Sequence, residues 1–227
     1  MRALVFLLSL CCWNIAFSEQ LPAWVKIDFT LSNGTISLPV TEILESSPEK
    51  YSITSEAQAS GILALVFKGR YARKSQGIIN DQGLRPTEFS LQKGKISQTA
   101  TFDWSKKTLA LEHDGVKDTV SLPANSYDVL SFPYSFTFRS PSGSELNFSM
   151  TDGRKLSQYR YIIEGKTTLT TAIGELKTLH LVKQHDKDDP ATEIWLALEH
   201  HLLPVRVLII NEDGSKLDQV VTQITYQ

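Results

Sequence analysis

Apolar and polar residues alternate with a period of two along most of this chain. In Trp24-Val25-Lys26-Ile27-Asp28-Phe29-Thr30-Leu31, the residues Val25, Ile27, Phe29 and Leu31 fall on one side. An extended strand, whose successive side chains point to opposite faces, turns that order into one apolar and one polar surface. Ser32-Asn33-Gly34 supplies a hairpin turn, because Asn-Gly accepts the positive φ of a tight reversal. The same rhythm runs through Thr35 to Leu44, Lys50 to Ala59, Ile62 to Phe67, Arg70 to Asn80 and Pro86 to Leu91. It continues over 95–104, 108–112 and 116–122, then over 145–150, 156–164, 167–171, 175–183, 192–198, 205–211 and 219–226. Short strands at this spacing predict an all-β fold, a sandwich or a barrel.

One segment breaks the rhythm, from Asn125 to Phe138. Asn125 or Ser126 can cap a helix, and Asp128 suits a first turn. Proline is tolerated only at a helix start, so a short helix to about Ser131 is expected, followed by a turn that begins at Pro133. Tyr127, Leu130, Phe132 and Tyr134 surround most of its circumference with apolar surface. A helix of that kind belongs inside, packed against the concave face or open end of the sheet.

The N-terminus reads as an address. Arg2 precedes an apolar run over 3–15, and Ala16-Phe17-Ser18 has the small-x-small form of a signal-peptidase site. The expected organisation is a signal peptide over 1–18 and a single β-barrel-like domain over 19–227. The run falls short of the roughly 20 apolar residues of a membrane span. No later segment approaches that length, so no transmembrane segment is expected after cleavage. Lipid attachment at Cys11 or Cys12 requires a small residue before the cysteine, whereas Leu10 and Cys11 stand there. These are the only 2 cysteines, so cleavage removes every thiol, and with them disulfides and thiolate chemistry. The formal charge of −2, without basic clusters, excludes a nucleic-acid binder. A hydrophobic content of 41% excludes a disordered chain.

Several motifs then occur in order: Gly77-Ile78-Ile79 with Gly83-Leu84-Arg85-Pro86, Phe102-Asp103-Trp104, and Asp128-Val129-Leu130-Ser131-Phe132. They are followed by Thr171-Ala172-Ile173-Gly174-Glu175, Ile194-Trp195-Leu196-Ala197 and Leu203-Pro204-Val205-Arg206-Val207. Over about residues 20 to 227 the chain resembles the exported bacterial family catalogued as domain of unknown function 3108. The resemblance implies a Gram-negative envelope protein with an antiparallel, curved-sheet fold, and it carries no established catalytic residue. At fold level such proteins are similar to the unclosed barrels of periplasmic lipoprotein carriers, so the expected fold is all-β, an antiparallel curved sheet or an open, unclosed β-barrel with one short aromatic-rich helix packed against it; the likeness does not fix function.

The residues themselves offer little catalytic machinery. Asp128 and Ser131 read first as capping groups. The histidines His113, His180, His185, His200 and His201 have no metal-ligand spacing, and Asp186-Lys187-Asp188-Asp189-Pro190 lacks the Gly and Glu of a calcium loop. Ser142-Gly143-Ser144 is a turn and not a nucleophile elbow. No metal and no cofactor is expected. Aromatic residues are more numerous than one thin sheet needs on a single face. They either fill the barrel or line an apolar ligand cavity at its mouth. Tyr127, Leu130, Phe132, Tyr134, Trp104, Phe102 and Arg70 are the candidate ligand-binding residues, with Arg73, Arg154 and Arg160 as further charges around a mouth. The expectation is a periplasmic, non-enzymatic protein that binds an apolar, lipid-like or amphipathic envelope molecule, or a protein partner, in the concavity of the sheet. The alternative is an envelope hydrolase acting on glycan or lipid through carboxylates such as Asp103 and Asp128, or Glu42 with Glu45, provided that they converge.

Overall fold

The computed structural model of the protein describes residues 21–57, 71–184 and 189–227. The leader expected over 1–18, the strand expected at Ile62 to Phe67, the candidate Arg70, His185 and the loop residues Asp186, Lys187 and Asp188 lie outside the described residues. The first run of strands is β1 (Trp24–Ser32), β2 (Ser37–Ser46), β3 (Lys50–Ala57), β4 (Tyr71–Asn80), β5 (Gly83–Lys93), β6 (Ile96–Asp103), β7 (Thr108–His113) and β8 (Val116–Ser121). A short β9 (Ser126–Asp128) leads into a helix, α1 (Ser131–Phe138). The second run is β10 (Glu145–Thr151), β11 (Leu156–Thr171), β12 (Gly174–Gln184), β13 (Ala191–Ala197), β14 (Leu203–Ile210) and β15 (Lys216–Tyr226).

All the strands join one sheet, in the order β8-β7-β6-β5-β4-β3-β2-β1-β15-β14-β13-β12-β11-β10-β9. Each run is a meander, and β1 pairs with β15 to join the two at the centre. Neighbours are antiparallel except β9 and β10, whose short parallel pairing makes the sheet mixed. The outermost strands do not hydrogen-bond to each other, so the sheet is unclosed. It curls nonetheless. Helix α1 packs on β5 and on β14, strands well separated in the sheet order, and β9 meets β5.

The alternation read in the sequence is the division between the two faces. Val25, Ile27 and Phe29 are buried, and they share a core with Val40, Leu44, Ile53, Phe89, Phe102 and Leu109. Burying one such side chain contributes about 1.5–3 kcal/mol. A second cluster gathers Phe132, Phe136, Met150, Tyr161, Leu181, Ile194 and Leu196. Helix α1 lies between the two, sending Tyr134 to the first, with Leu130 just before it, and Phe132 and Phe136 to the second. A helix apolar over most of its circumference is accommodated between two apolar surfaces, and its Ser131 and Ser135 hydroxyls are hydrogen-bonded where they are buried.

Two expectations need correction. The first helical turn was placed before Ser131, but Ser126 to Asp128 is extended and pairs with Ser149 to Thr151, and the helix begins at Ser131. Pro133 falls within its first turn, where a missing N–H costs nothing, so the proline does not divide the helix. The strands expected over 156–164 and 167–171 are one continuous strand, β11. Its register shifts between Ile163 and Gly165, and Gly165, at φ +126°, takes up the irregularity without ending the strand.

Candidate functional site

The curl leaves a hollow of about 800 Å³ on the concave side, partly open to solvent. Both halves of the sheet and α1 line it. Leu31, Leu38 and Val40 come from β1 and β2, and Leu130, Phe132, Pro133 and Tyr134 from α1 and the residue before it. Tyr159, Tyr161, Ile194, Pro204, Val207 and Ile209 form the opposite wall. The apolar lining continues the alternation: Leu31 follows Val25, Ile27 and Phe29 on the same face of β1.

The alternation also carries polar residues into this face. In β2 the inward positions run Leu38, Val40, Glu42, Leu44, so a carboxylate stands where an aliphatic side chain is expected. Strand register sets Glu42 opposite Ser55, and Ser55 opposite Arg73. The three thus form a polar row across β2, β3 and β4. Glu42 is buried and accepts hydrogen bonds at Oε1 from Ser55 Oγ (2.9 Å), Arg73 Nη2 (3.3 Å) and Gln219 Nε2 (3.2 Å). At Oε2 it accepts one from the Tyr134 hydroxyl (2.6 Å). Burial, and then the charge of Glu42, push the Tyr134 hydroxyl well above its ordinary pKa, so the phenol remains a donor. Glu42, Arg73, Tyr134 and Gln219 all line the hollow.

Further round the wall, Lys183 is buried and pairs with the Asp189 carboxylate. It also donates to the Pro190 carbonyl (2.9 Å) and lies over the Tyr159 ring at 4.8 Å from the centroid. Lys93 and Lys155 line the hollow while exposed to solvent.

Of the residues expected to bind a ligand, Leu130, Phe132 and Tyr134 line this hollow. Tyr127 and Trp104 line a separate, much smaller pocket beside Arg85 and Arg139. Phe102 is buried in the first core and stacks on Trp104, with centroids 5.9 Å apart. Trp104 donates through Nε1 to the Pro86 carbonyl (2.6 Å), and the Arg85 guanidinium covers its ring at 4.2 Å. Gly77 belongs to the same joint. A Cβ there would sit 2.2 Å from the Arg85 carbonyl oxygen, so only glycine allows β4 and β5 to approach at their bulge.

Asp128 closes this joint over α1. Its Oδ1 accepts from the backbone N–H groups of Leu130 (2.9 Å) and Ser131 (2.8 Å), which ties down the helix start. Its Oδ2 accepts from Ser75 Oγ (2.6 Å) and Ser131 Oγ (2.8 Å). Ser75 is also within hydrogen-bond distance of the Tyr51 hydroxyl (3.1 Å). Complete burial raises the Asp128 pKa, against the opposing effect of these hydrogen bonds. Asp103 is elsewhere, at a solvent-facing turn where Lys106 and Ser105 hold its carboxyl well below the ordinary value. The two acids named for a hydrolytic site therefore share no partner. Glu42 and Glu45 do not meet either, because Glu45 falls on the opposite, exposed face of β2.

The histidines are dispersed. His180 stacks on Trp195 and contacts Glu193 (2.8 Å), His200 contacts the Tyr226 hydroxyl (2.9 Å), and His113 lies beside Asp114. Among the described residues, no group of three His, Cys, Asp or Glu side chains is placed to hold a metal ion. No helix among them is long and apolar enough to cross a membrane.

The family described as a protein of unknown function, DUF3108, matches residues 20–221. The chain belongs to that family. No curated protein matches this DUF3108 chain in sequence. Among solved structures, a Bacteroides fragilis protein described as exported and with a YmcC-like fold is similar over 91% of this chain and 96% of its own. Its sequence identity is 7% and the TM-score is 0.29. Within the DUF3108 chain, several residues of the motifs quoted above, Gly77, Arg85, Pro86, Phe102, Trp104, Asp128 and Ser131, build the joint around α1. The polar row of Glu42, Ser55 and Arg73 belongs to none of them.

Proposed function

We propose that this DUF3108 protein is a non-enzymatic carrier that holds a lipid-like, apolar or amphipathic envelope molecule in the hollow beneath α1. The reading includes removal of residues 1–18 and residence in the periplasm. The observation that carries it is the hollow itself. At about 800 Å³ it falls within the range of about 300–1,000 Å³ typical of small-molecule sites. Its walls are mainly aliphatic and aromatic, with a polar cluster at Glu42, Arg73, Tyr134 and Gln219 and further charges among the lining residues. The dispersal of Asp103, Asp128 and the histidines supports binding over hydrolysis.

Native mass spectrometry of the protein isolated from its own periplasm tests this reading. The expected result is a stoichiometric adduct of lipid mass, displaced by added 1-hexadecanol. Leu38→Trp, which fills one wall of the hollow, should lower hexadecanol affinity about tenfold or more, the equivalent of roughly 1.4 kcal/mol. A protein that carries no adduct and takes up no hexadecanol is not such a carrier.

A further inference from the structure

We propose that Arg73 is the head-group receptor of the hollow, and that the ligand is an oxyanion amphiphile bound head inward. Its head is a carboxylate or a phosphate, and its body is an apolar chain. The proposal rests on the carrier reading above and adds the ligand's chemical class and its orientation.

Arg73 occupies an inward position of β4, between Tyr71 and Ser75, where the sheet pattern calls for an apolar residue. A guanidinium presents five N–H donors and no acceptor. Nη2 reaches Ser55 Oγ at 3.0 Å and Glu42 Oε1 at a long 3.3 Å. Nε is buried and has no hydrogen-bond partner among the described residues. Glu42, by contrast, does not depend on Arg73, because Ser55, Gln219 and Tyr134 also donate to it. Arg73, paired with Glu42 and 5.6 Å from the Tyr71 ring centroid, therefore keeps one buried, unused donor beside an apolar hollow that its side chain lines. Such a donor needs an acceptor.

The chemistry of the surroundings selects which acceptor. Tyr134, Gln219 and Ser55 already make this wall rich in donors. An oxyanion brings lone pairs and no hydrogen, and it matches a guanidinium in geometry. A hydroxyl head brings a further donor, and a cationic head is repelled. Among the described residues the hollow's charged lining is Arg73, Lys93, Lys155 and Lys183 against Glu42, Asp152 and Asp189, a positive excess in a chain of net charge −2. Lys183 is already engaged by Asp189 and Pro190. Lys93 and Lys155 are exposed, so water and salt screen them. Among the described residues Arg73, with its unused Nε, is the cation that remains, and the aliphatic walls beyond it take the chain.

The test uses delipidated full-length protein and five probes: palmitate, hexadecyl phosphate, 1-hexadecanol, hexadecyltrimethylammonium and inorganic phosphate. Palmitate and hexadecyl phosphate are expected to bind about 10- to 100-fold tighter than hexadecanol, the range of one charge-assisted hydrogen bond. In Arg73→Gln that preference should fall to about twofold or less while hexadecanol still binds, which also reports that the variant is folded. Equal affinity for palmitate and hexadecanol in the wild type overturns the proposal and leaves the carrier reading intact. So does a preference that survives Arg73→Gln but disappears in Lys93→Gln or Lys155→Gln. Inorganic phosphate binding as tightly as hexadecyl phosphate also overturns it, since the site is then one for the free ion. Failure of every chain-bearing probe to bind overturns the carrier reading itself. If Arg73→Gln does not fold, carboxyl-labelled palmitate on the wild type decides by its NMR titration. Its pKa should fall about one unit or more below that of an uncomplexed carboxylate, and an unshifted titration overturns the proposal.

Discussion

Asp128 and Glu42 are both carboxylates withdrawn from water, and each receives four hydrogen bonds. Their settings differ in every other respect. Asp128 takes its donors from Leu130, Ser131 and Ser75, all neutral, in a joint that is sealed on all sides. Glu42 takes its donors from four elements, one of them the cation Arg73, and its side chain faces the hollow. The first arrangement is saturated by local chain neighbours and by one serine across the sheet. It fixes where α1 starts and how β9 lies over β4. The second is shared with a cation that keeps an unused N–H. A saturated acid stabilises geometry, whereas an acid in an open cluster leaves its partners able to engage something else.

The largest effect that tests this contrast is expected from Asp128→Ala. It orphans buried donors and should cost about 3–5 kcal/mol of unfolding free energy in urea. A loss of under about 1 kcal/mol, below the ordinary worth of one hydrogen bond, breaks the description of a sealed clasp. Gly77→Ala acts on the same joint through sterics and should cost about 2–3 kcal/mol, because β5 must shift away from the new Cβ. Tyr134→Phe acts on the open cluster. It removes one of four donors to Glu42 and should cost only about 1 kcal/mol in the same urea titration. A loss as large as that of Asp128→Ala would mean that Glu42 is as much a structural clasp as Asp128.

The smallest effect is one of pH. Burial raises the folded-state pKa of Asp128 above the ordinary 3.8. Its contribution to stability is therefore fully present below the unfolded value and is lost as pH rises through the folded one. Asp128→Asn keeps the carbonyl that accepts from Leu130 and Ser131 and cannot ionise. The Tm difference between wild type and Asp128→Asn should thus move in favour of the variant as pH goes from about 4 to about 7. A difference that stays constant would mean that the four hydrogen bonds offset the whole cost of burial.

Much of the fold is legible in the order of residues. Val25, Ile27 and Phe29 declare the inner face of β1 without any tertiary information, and Asn33-Gly34 declares its turn: Asn33 Oδ1 accepts from the Thr35 and Ile36 N–H groups. The enclosure of α1 follows from the apolar surface over most of its circumference. Its starting residue does not, because Pro133 fits anywhere in a first turn and the parallel pairing of β9 depends on residues 149–151. The candidate site is legible only in part. Leu130, Phe132 and Tyr134 are found from the aromatic segment. Tyr127, Trp104 and Phe102 come from the same reasoning and lie in the joint or the core instead. Glu42 appears in the sequence as an acid of no evident partner. The signal that identifies it is its phase, a charge among Leu38, Val40 and Leu44, and the same phase marks Arg73 in β4.

Residue order settles the all-β class, the turns and which face of each strand is apolar, since period-two alternation is a local property of the chain. The apolar surface over most of α1 likewise requires that the helix be enclosed. Only pairing between distant segments settles that a hollow remains beneath α1, and that Glu42, Ser55 and Arg73 stand side by side across three strands. Curl and register arise from twist and from pairings between residues far apart in the chain. No local pattern encodes which strand residue 42 will face.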